Sequence, residues 1–232
     1  MHIGILQTGR THEALVSKHG EYPDMFERLL SGQGMQFSTW PVLECRLPER
    51  PACAEGWLIT GSRFSTYEDH PWIPPLEDFI RATYEAGVPM IGVCFGHQII
   101  AQALGGVVEK YPGGWSVGRT AYRVDGFQEP LSMLSWHQDQ VCEIPPEARV
   151  VGSSDSCRNA VLAYKGNALS VQPHPEFDAD FVDGLFEKVG LQAVGIKRTR
   201  EEQSRLHAPL DADKFAKVMA GFFRDPGSWP PS

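Results

Sequence analysis

The stretch Val88-Pro89-Met90-Ile91-Gly92-Val93-Cys94-Phe95-Gly96-His97-Gln98 constrains this chain more than any other. A short apolar run, Val88 to Val93, ends in a cysteine, and a helix-like segment, Gln98 to Leu104, follows a turn of small residues. Gly92 and Gly96 flank Cys94 at G-x-C-x-G spacing, the nucleophile-elbow pattern with sulfur in place of oxygen. A strand that turns so tightly into a helix leaves no room for bulk beside the nucleophile. The pattern therefore predicts a thiol standing at the strand's C-terminal end, above the start of the next helix. The positive end of the helix dipole there favours a thiolate. The backbone N–H of Phe95 is placed to donate to an oxyanion. A single free cysteine is otherwise most often a small buried hydrophobe, so the chemical reading requires a base elsewhere in the chain.

The rest of the chain predicts the sheet that would carry such an elbow. His2 to Gln7 reads as a buried strand, Thr8 to Gly20 as a polar loop, and Tyr22 to Leu30 as a helix by the spacing of Tyr22, Met25, Phe26, Leu29 and Leu30. Strands follow at Met35–Val42 and Gly56–Ser62, the latter running into a turn at Gly61 whose missing side chain could bring a backbone N–H towards a ligand. Arg63 to Pro75 reads as a long loop, and Leu76 to Ala86 as a helix capped by Gly87. Beyond the elbow, strands are predicted at Val107–Tyr111, Val117–Val124, Arg149–Ser153, Ala160–Tyr164 and Ala168–Gln172, with Trp136 to Val141 in a loop leading to another strand. A helix capped by Asp178 or Asp180 runs to Val189, and Lys214 to Phe223 is amphipathic. The proline-rich tail, Asp225 to Ser232, is predicted to be loose. Strands alternating with helices in the first half predict a mainly parallel sheet, and the strand-rich middle predicts antiparallel additions. No repeat or linker interrupts the chain, so residues 1–232 read as one α/β domain.

Several function classes are disfavoured. The formal net charge is −8, and no basic block exceeds the Lys197-Arg198-Thr199-Arg200 run, which reads as a solvated helix face or turn. That balance argues against nucleic acid as a partner. The five cysteines, at 45, 53, 94, 142 and 157, form no CxxC pair, which fits neither a disulfide framework nor a zinc site. The histidines form no HExxH or comparable cluster, so neither a metal nor a cofactor is expected. Free thiols, the absence of a leader-like N-terminus and the lack of any membrane-length apolar run make the cytoplasm the expected location.

The required base lies at Pro173-His174-Pro175-Glu176, directly after the last predicted strand. Residues two apart in an extended segment point to one side, so Glu176 can hold one ring nitrogen of His174 while the other faces Cys94. The two prolines stiffen the segment. Gly61, Cys94 and His174 all follow strands, and ligands of open α/β sheets gather outside C-terminal strand ends.

With Gly92-Val93-Cys94-Phe95-Gly96-His97-Gln98, Gln172-Pro173-His174-Pro175-Glu176, Gly61-Ser62 and Trp136-His137-Gln138-Asp139 in this order, the chain resembles the class I glutamine amidotransferase family. The likeness runs from Ile3 to about Phe186 and extends to stand-alone γ-glutamyl peptidase-like members and to the amidotransferase domain of GMP synthase. The resemblance implies a flavodoxin-like three-layer sandwich and a Cys94–His174–Glu176 triad. It also implies an oxyanion hole from the N–H groups of Gly61 and Phe95, with Gln98, His137 and Asp139 near the α-amino and α-carboxylate groups of a γ-glutamyl substrate. The implied reaction is hydrolysis of a γ-glutamyl amide, glutamine or a γ-glutamyl conjugate, through a γ-glutamyl thioester. Two alternatives stay open: a glutaminase subunit that passes ammonia to a separate synthetase partner, and a catalytically silent binding protein on the same fold. Phe95 follows the nucleophile where biosynthetic members often have Leu or Tyr, and Ser62 to Pro75 resembles the segment of stand-alone members. The residues leave the oligomeric state open.

Overall fold

Hydrophobic runs too short for helices form a nine-stranded sheet in the computed structural model, which describes residues 1–228. Its parallel half comprises β1 (His2–Gln7), β2 (Gln36–Pro41), β3 (Gly56–Ile59), β4 (Met90–Val93) and β11 (Ala168–Val171). Its antiparallel half comprises β6 (Ser116–Val124), β7 (Leu131–His137), β9 (Ala148–Ser153) and β10 (Val161–Tyr164). Strand order is β2-β1-β3-β4-β11-β10-β9-β6-β7, and β5 (Val107–Lys110) pairs with β8 (Asp139–Glu143) in a separate ribbon. The two elements that matter most to the site, β4 and β11, are neighbours at the centre: Ile91 registers with Leu169 and Val93 with Val171.

Alternation along the strands divides their side chains between two helical layers. Ile3, Ile5, Leu58, Ile91, Leu169 and Val171 pack against α2 (Tyr22–Leu29) and α7 (Ala212–Arg224) through Phe26, Phe215, Met219 and Phe222. Leu6, Trp57, Ile59 and Met90 face α3 (Ile73–Glu85) and α4 (Phe95–Ala103) through Leu76, Ile80, Ile99 and Ile100. The expected three-layer sandwich, parallel on one side and antiparallel on the other, is what these contacts build. A third apolar cluster joins Leu15 of α1 (Glu13–His19) to Phe177, to Phe181 and Leu185 of α5 (Ala179–Leu185), and to Leu134 of β7.

Several elements differ from expectation. The stretch read as a loop from Thr8 to Gly20 contains α1. Helix α3 starts at Ile73, inside the predicted loop, because prolines at its first turn have no N–H that the helix needs. Helix α4 starts at Phe95, directly after the cysteine. Trp136 and His137 belong to β7, not to a loop. Asp178 caps α5 by accepting from Phe181 N at 2.7 Å. The helical path then continues past Val189 through a π-turn, Phe186–Gly190, into α6 (Leu191–Gln203). Of the predicted loose tail, Pro226–Ser228 forms a 3-10 turn, and residues 229–232 lie outside the described residues. Among the described residues no helix is long and apolar enough to cross a membrane.

Candidate active site

The elbow is built by backbone contact, which explains both of its glycines. A Cβ on Gly92 would lie 2.3 Å from Gly96 O, and one on Gly96 would lie 2.3 Å from Ile59 O. Cys94 itself takes φ 54° and ψ −103°, a conformation that non-glycine residues rarely adopt. It is held there from both sides. Cys94 N–H donates to Val171 O at 2.8 Å, and Gly96 N–H donates to Thr60 O at 3.1 Å. The cysteine is thereby the last residue before α4, at the junction of β3, β4 and β11.

His174 arrives from β11 through Gln172 and Pro173. Its N–H donates to Leu134 O of β7 at 2.8 Å, and Phe177 stacks face-on with its ring, centroids 3.9 Å apart and planes 5° apart. Nδ1 of the ring and Oε1 of Glu176 are 2.7 Å apart, with 5% of the histidine side chain and none of the glutamate side chain exposed. Burial alone would lower the pKa of this imidazole. The Glu176 charge, then the charge and hydrogen bond of the Cys94 side chain, overcome burial and raise it to about 10. Glutamate and cysteine thus address the same ring, and a Cβ on Gly61 would lie 3.0 Å from His174 Cε1 and 3.7 Å from Cys94 Cβ. Residues from three strand ends, 80 positions apart in the case of Cys94 and His174, meet at one point. Among the described residues, the N–H groups of Gly61 and Phe95 have no hydrogen-bond acceptor.

The other three residues singled out by sequence form a partly buried network beside this point. Gln98 Nε2 donates to Asp139 O at 2.8 Å and to Gln172 Oε1 at 3.1 Å. His137 Nδ1 lies 3.2 Å from Asp139 O, and its buried Nε2 has no hydrogen-bond partner. Burial lowers the His137 pKa to about 3, the facing His174 contributing to the fall. The Asp139 carboxylate accepts from Ser65 Oγ at 2.5 Å. It therefore holds the segment between β3 and α3 over the site instead of standing free. His97, one turn into α4, is fully buried with Nδ1 2.7 Å from Ser170 Oγ, and burial lowers its pKa to about 3. That contact ties the start of α4 to β11.

Sequence reasoning missed two residues. Phe177 stacks on His174, and Tyr22 in turn lies 6.0 Å from Phe177 by ring centroids. Tyr22 shares its helical spacing with core residues of α2, so only the fold shows that it packs against the neighbour of His174. Among the described residues no group of three or more His, Cys, Asp and Glu side chains is arranged to hold a metal ion.

A strained cysteine between the central strand β4 and α4, with a His–Glu pair beside it, forms a nucleophile-elbow arrangement on an α/β sandwich. The chain belongs to the glutamine amidotransferase class-I family, whose model matches residues 56–183, more than half of its length. It is 30% identical over 201 residues to gamma-glutamyl peptidase 4 of Arabidopsis thaliana, covering 81% of this chain and 80% of that protein. It is 34% identical over 166 residues to the glutamine-hydrolyzing GMP synthase of Burkholderia mallei, covering 64% of this chain but 30% of the synthase. The structure of a glutamine amido transferase from Methylobacillus flagellatus superposes with a TM-score of 0.77 at 22% identity, over 96% of this chain and 93% of that one. That superposition shows the fold to be the flavodoxin-like sandwich of this family.

Proposed function

We propose that the protein hydrolyses a γ-glutamyl amide bond through a γ-glutamyl thioester on Cys94. The observation that carries this reading is the ring of His174, bonded through Nδ1 to Glu176 at 2.7 Å and meeting Cys94 beside Gly61, where one Cβ would lie 3.0 Å from His174 Cε1 and 3.7 Å from Cys94 Cβ. The sulfur attacks the γ-carbonyl carbon, forming the C–S bond, while the thiol proton resides on His174. The carbonyl oxygen takes up negative charge and accepts from the N–H groups of Gly61 and Phe95. The tetrahedral species collapses, the C–N bond breaks, and His174 delivers its proton to the departing amine. Water then attacks the thioester, His174 accepts its proton, and the C–S bond breaks with return of that proton to sulfur. Glu176 orients the imidazole and stabilises its cationic form throughout.

Gln98, His137 and Asp139 serve the glutamyl end in this scheme. Both Gln98 amide hydrogens are directed to protein acceptors, which leaves Oε1 to accept from a substrate ammonium, and the unpartnered His137 Nε2 offers a second acceptor. Asp139 acts through its carbonyl, which holds Gln98, and through its carboxylate, which holds Ser65. The same reading treats the chain as one domain, supported by the packing of Phe215 and Phe222 of α7 on Ile3 and Ile5 of β1.

The similarity to gamma-glutamyl peptidase 4 over four-fifths of both chains favours hydrolysis of γ-glutamyl conjugates. The likeness to GMP synthase favours a second reading, a glutaminase that delivers ammonia to a separate synthetase. A hydrolysis screen of glutamine, glutathione and γ-glutamyl amines, with Cys94→Ala as the blank, tests both. Release of a γ-glutamate from conjugates by the isolated wild type supports the first. Activity confined to glutamine and raised by an added synthetase supports the second, and wild-type rates no greater than the blank on every substrate overturn both.

A further inference from the structure

Tyr22 opens α2, at its first turn and next to Pro23, and its position is fixed. Its Cε2 would lie 3.0 Å from a Cβ on Gly9, and that same Cβ would lie 2.5 Å from Gly61 O. The Tyr22 ring therefore borders the loop that presents the Gly61 N–H. On its other side it packs on Phe177 at 6.0 Å, and Phe177 stacks on His174 at 3.9 Å. Glu21, which precedes it, accepts from Thr11 N at 2.8 Å and so ties the start of α2 to the loop after β1.

The Tyr22 side chain is only partly buried, and its phenol hydroxyl differs from others in the chain in what it bonds to. Three other tyrosine hydroxyls bond within the chain. Tyr84 donates to Lys165 O at 2.9 Å, Tyr122 pairs with Ser135 Oγ at 2.5 Å, and Tyr164 with Ser170 Oγ at 3.2 Å. Among the described residues the Tyr22 hydroxyl has no hydrogen-bond partner. Burial, then the charges of Cys94, Glu176 and Glu21, raise its pKa above the ordinary phenol value. The hydroxyl therefore stays protonated through the neutral range, with its proton uncommitted within the chain, next to the Gly61 loop and Phe177.

We propose that Tyr22 is a substrate-contacting residue whose phenol O–H donates a hydrogen bond to an oxygen of the γ-glutamyl group bound at Cys94. This rests on the hydrolase reading above and adds to it a third anchor, from the β1–α2 side of the crevice. No proton is transferred, so Tyr22 affects binding of the acyl part and leaves the titration of His174 alone.

The test compares wild type, Tyr22→Phe and Cys94→Ala on glutamine and γ-glutamyl p-nitroanilide. It is paired with alkylation of Cys94 by iodoacetamide, a small probe without a γ-glutamyl group. Tyr22→Phe keeps the ring and its stacking and removes one neutral hydrogen bond, so kcat/KM is expected to fall by at least about fivefold. The pH profile of kcat/KM, the alkylation rate and the unfolding midpoint are expected to match wild type. A Tyr22→Phe enzyme within twofold of wild type overturns the inference while the hydrolase reading stands. So does a loss matched by an equal loss in alkylation, which would place the effect on Cys94 itself. Wild-type activity no greater than that of Cys94→Ala overturns both.

Discussion

Gly61 and His174 are in contact to the limit of what backbone and ring allow: a single methyl group on the glycine would stand 3.0 Å from His174 Cε1. The absent side chain at 61 is therefore part of what positions the imidazole. Gly61→Ala is expected to fold, because the contact is with a side chain at the rim and not with backbone. It is expected to lower kcat by about 10- to 100-fold, since displacement of a reacting group by a few tenths of an ångström or more is costly. Steady-state kinetics with the unfolding midpoint as control checks this, and an unimpaired Gly61→Ala enzyme would remove Gly61 from the reacting centre.

The strain at Cys94 separates stability from chemistry. At φ 54° and ψ −103°, Cys94→Gly should be more stable than Cys94→Ala by about 1 kcal/mol, because glycine reaches that conformation without the cost borne by a Cβ. Both variants are expected to lose thioester formation completely. Denaturant unfolding of the pair, measured with mass detection of any acyl adduct, gives the answer; an Ala variant as stable as the Gly variant would mean the elbow stores no strain.

Gly92 and Gly96 carry a different liability. Alanine at either position would place a Cβ 2.3 Å from a backbone oxygen, Gly96 O in one case and Ile59 O in the other. Backbone cannot swing aside as a side chain can, so each substitution is expected to cost about 3 kcal/mol or prevent folding. Soluble yield and unfolding midpoint report it, and a wild-type midpoint for Gly96→Ala would show that the β3–α4 contact is looser than described.

Buried histidines make stability fall in acid. His97 and His137 stay neutral in the folded chain with pKa values near 3, against 6.5 when exposed. Between those two values the unfolded chain binds protons that the folded chain does not, so the unfolding midpoint drops as pH falls through that window. His174 acts with the opposite sign. Its folded value near 10 exceeds 6.5, so its contribution is complete below 6.5 and is lost as pH rises towards 10. Thermal unfolding of His97→Gln between pH 4 and 7 should show a shallower acid slope than wild type. Glu176→Gln should lack the His174 contribution at and below neutral pH, so its stability should fall less than that of wild type as pH rises from 6.5 towards 10, and it should lower the hydrolysis rate less than His174→Ala does.

Both halves of the candidate site were legible because each is written locally. Two glycines around a cysteine reflect close approaches of backbone at Gly92 and Gly96, and a histidine and glutamate two apart after a strand reflect one extended turn. The parallel half of the sheet was legible from its apolar runs. Other features leave no local trace. Helix α1 spans seven residues with only Leu15 and His19 buried, too few to show a period. Strand β7 is covered on both faces, all but Trp136 being buried, so alternation vanishes. Helix α6 buries only Thr199 and Glu202 and carries no apolar stripe. Asp139 was expected near substrate, but its engagement with Ser65 depends on a contact across 74 positions, which spacing along the chain cannot reveal. The uncommitted hydroxyl of Tyr22 is likewise visible only once α2 is folded against Phe177.

The hydrogen bond from Cys94 N–H to Val171 O joins the sulfur-bearing turn to the strand that delivers the imidazole. Adjacent central strands β4 and β11 thus form a single mechanical piece. Flexing of the antiparallel flank, or sway of the surface helices, would carry Cys94 and His174 along together, so the separation of the proposed nucleophile and base would be buffered against motions that reshape the crevice around them. Variation in the surrounding loops could then alter which molecules enter without retuning the distance over which a proton must travel.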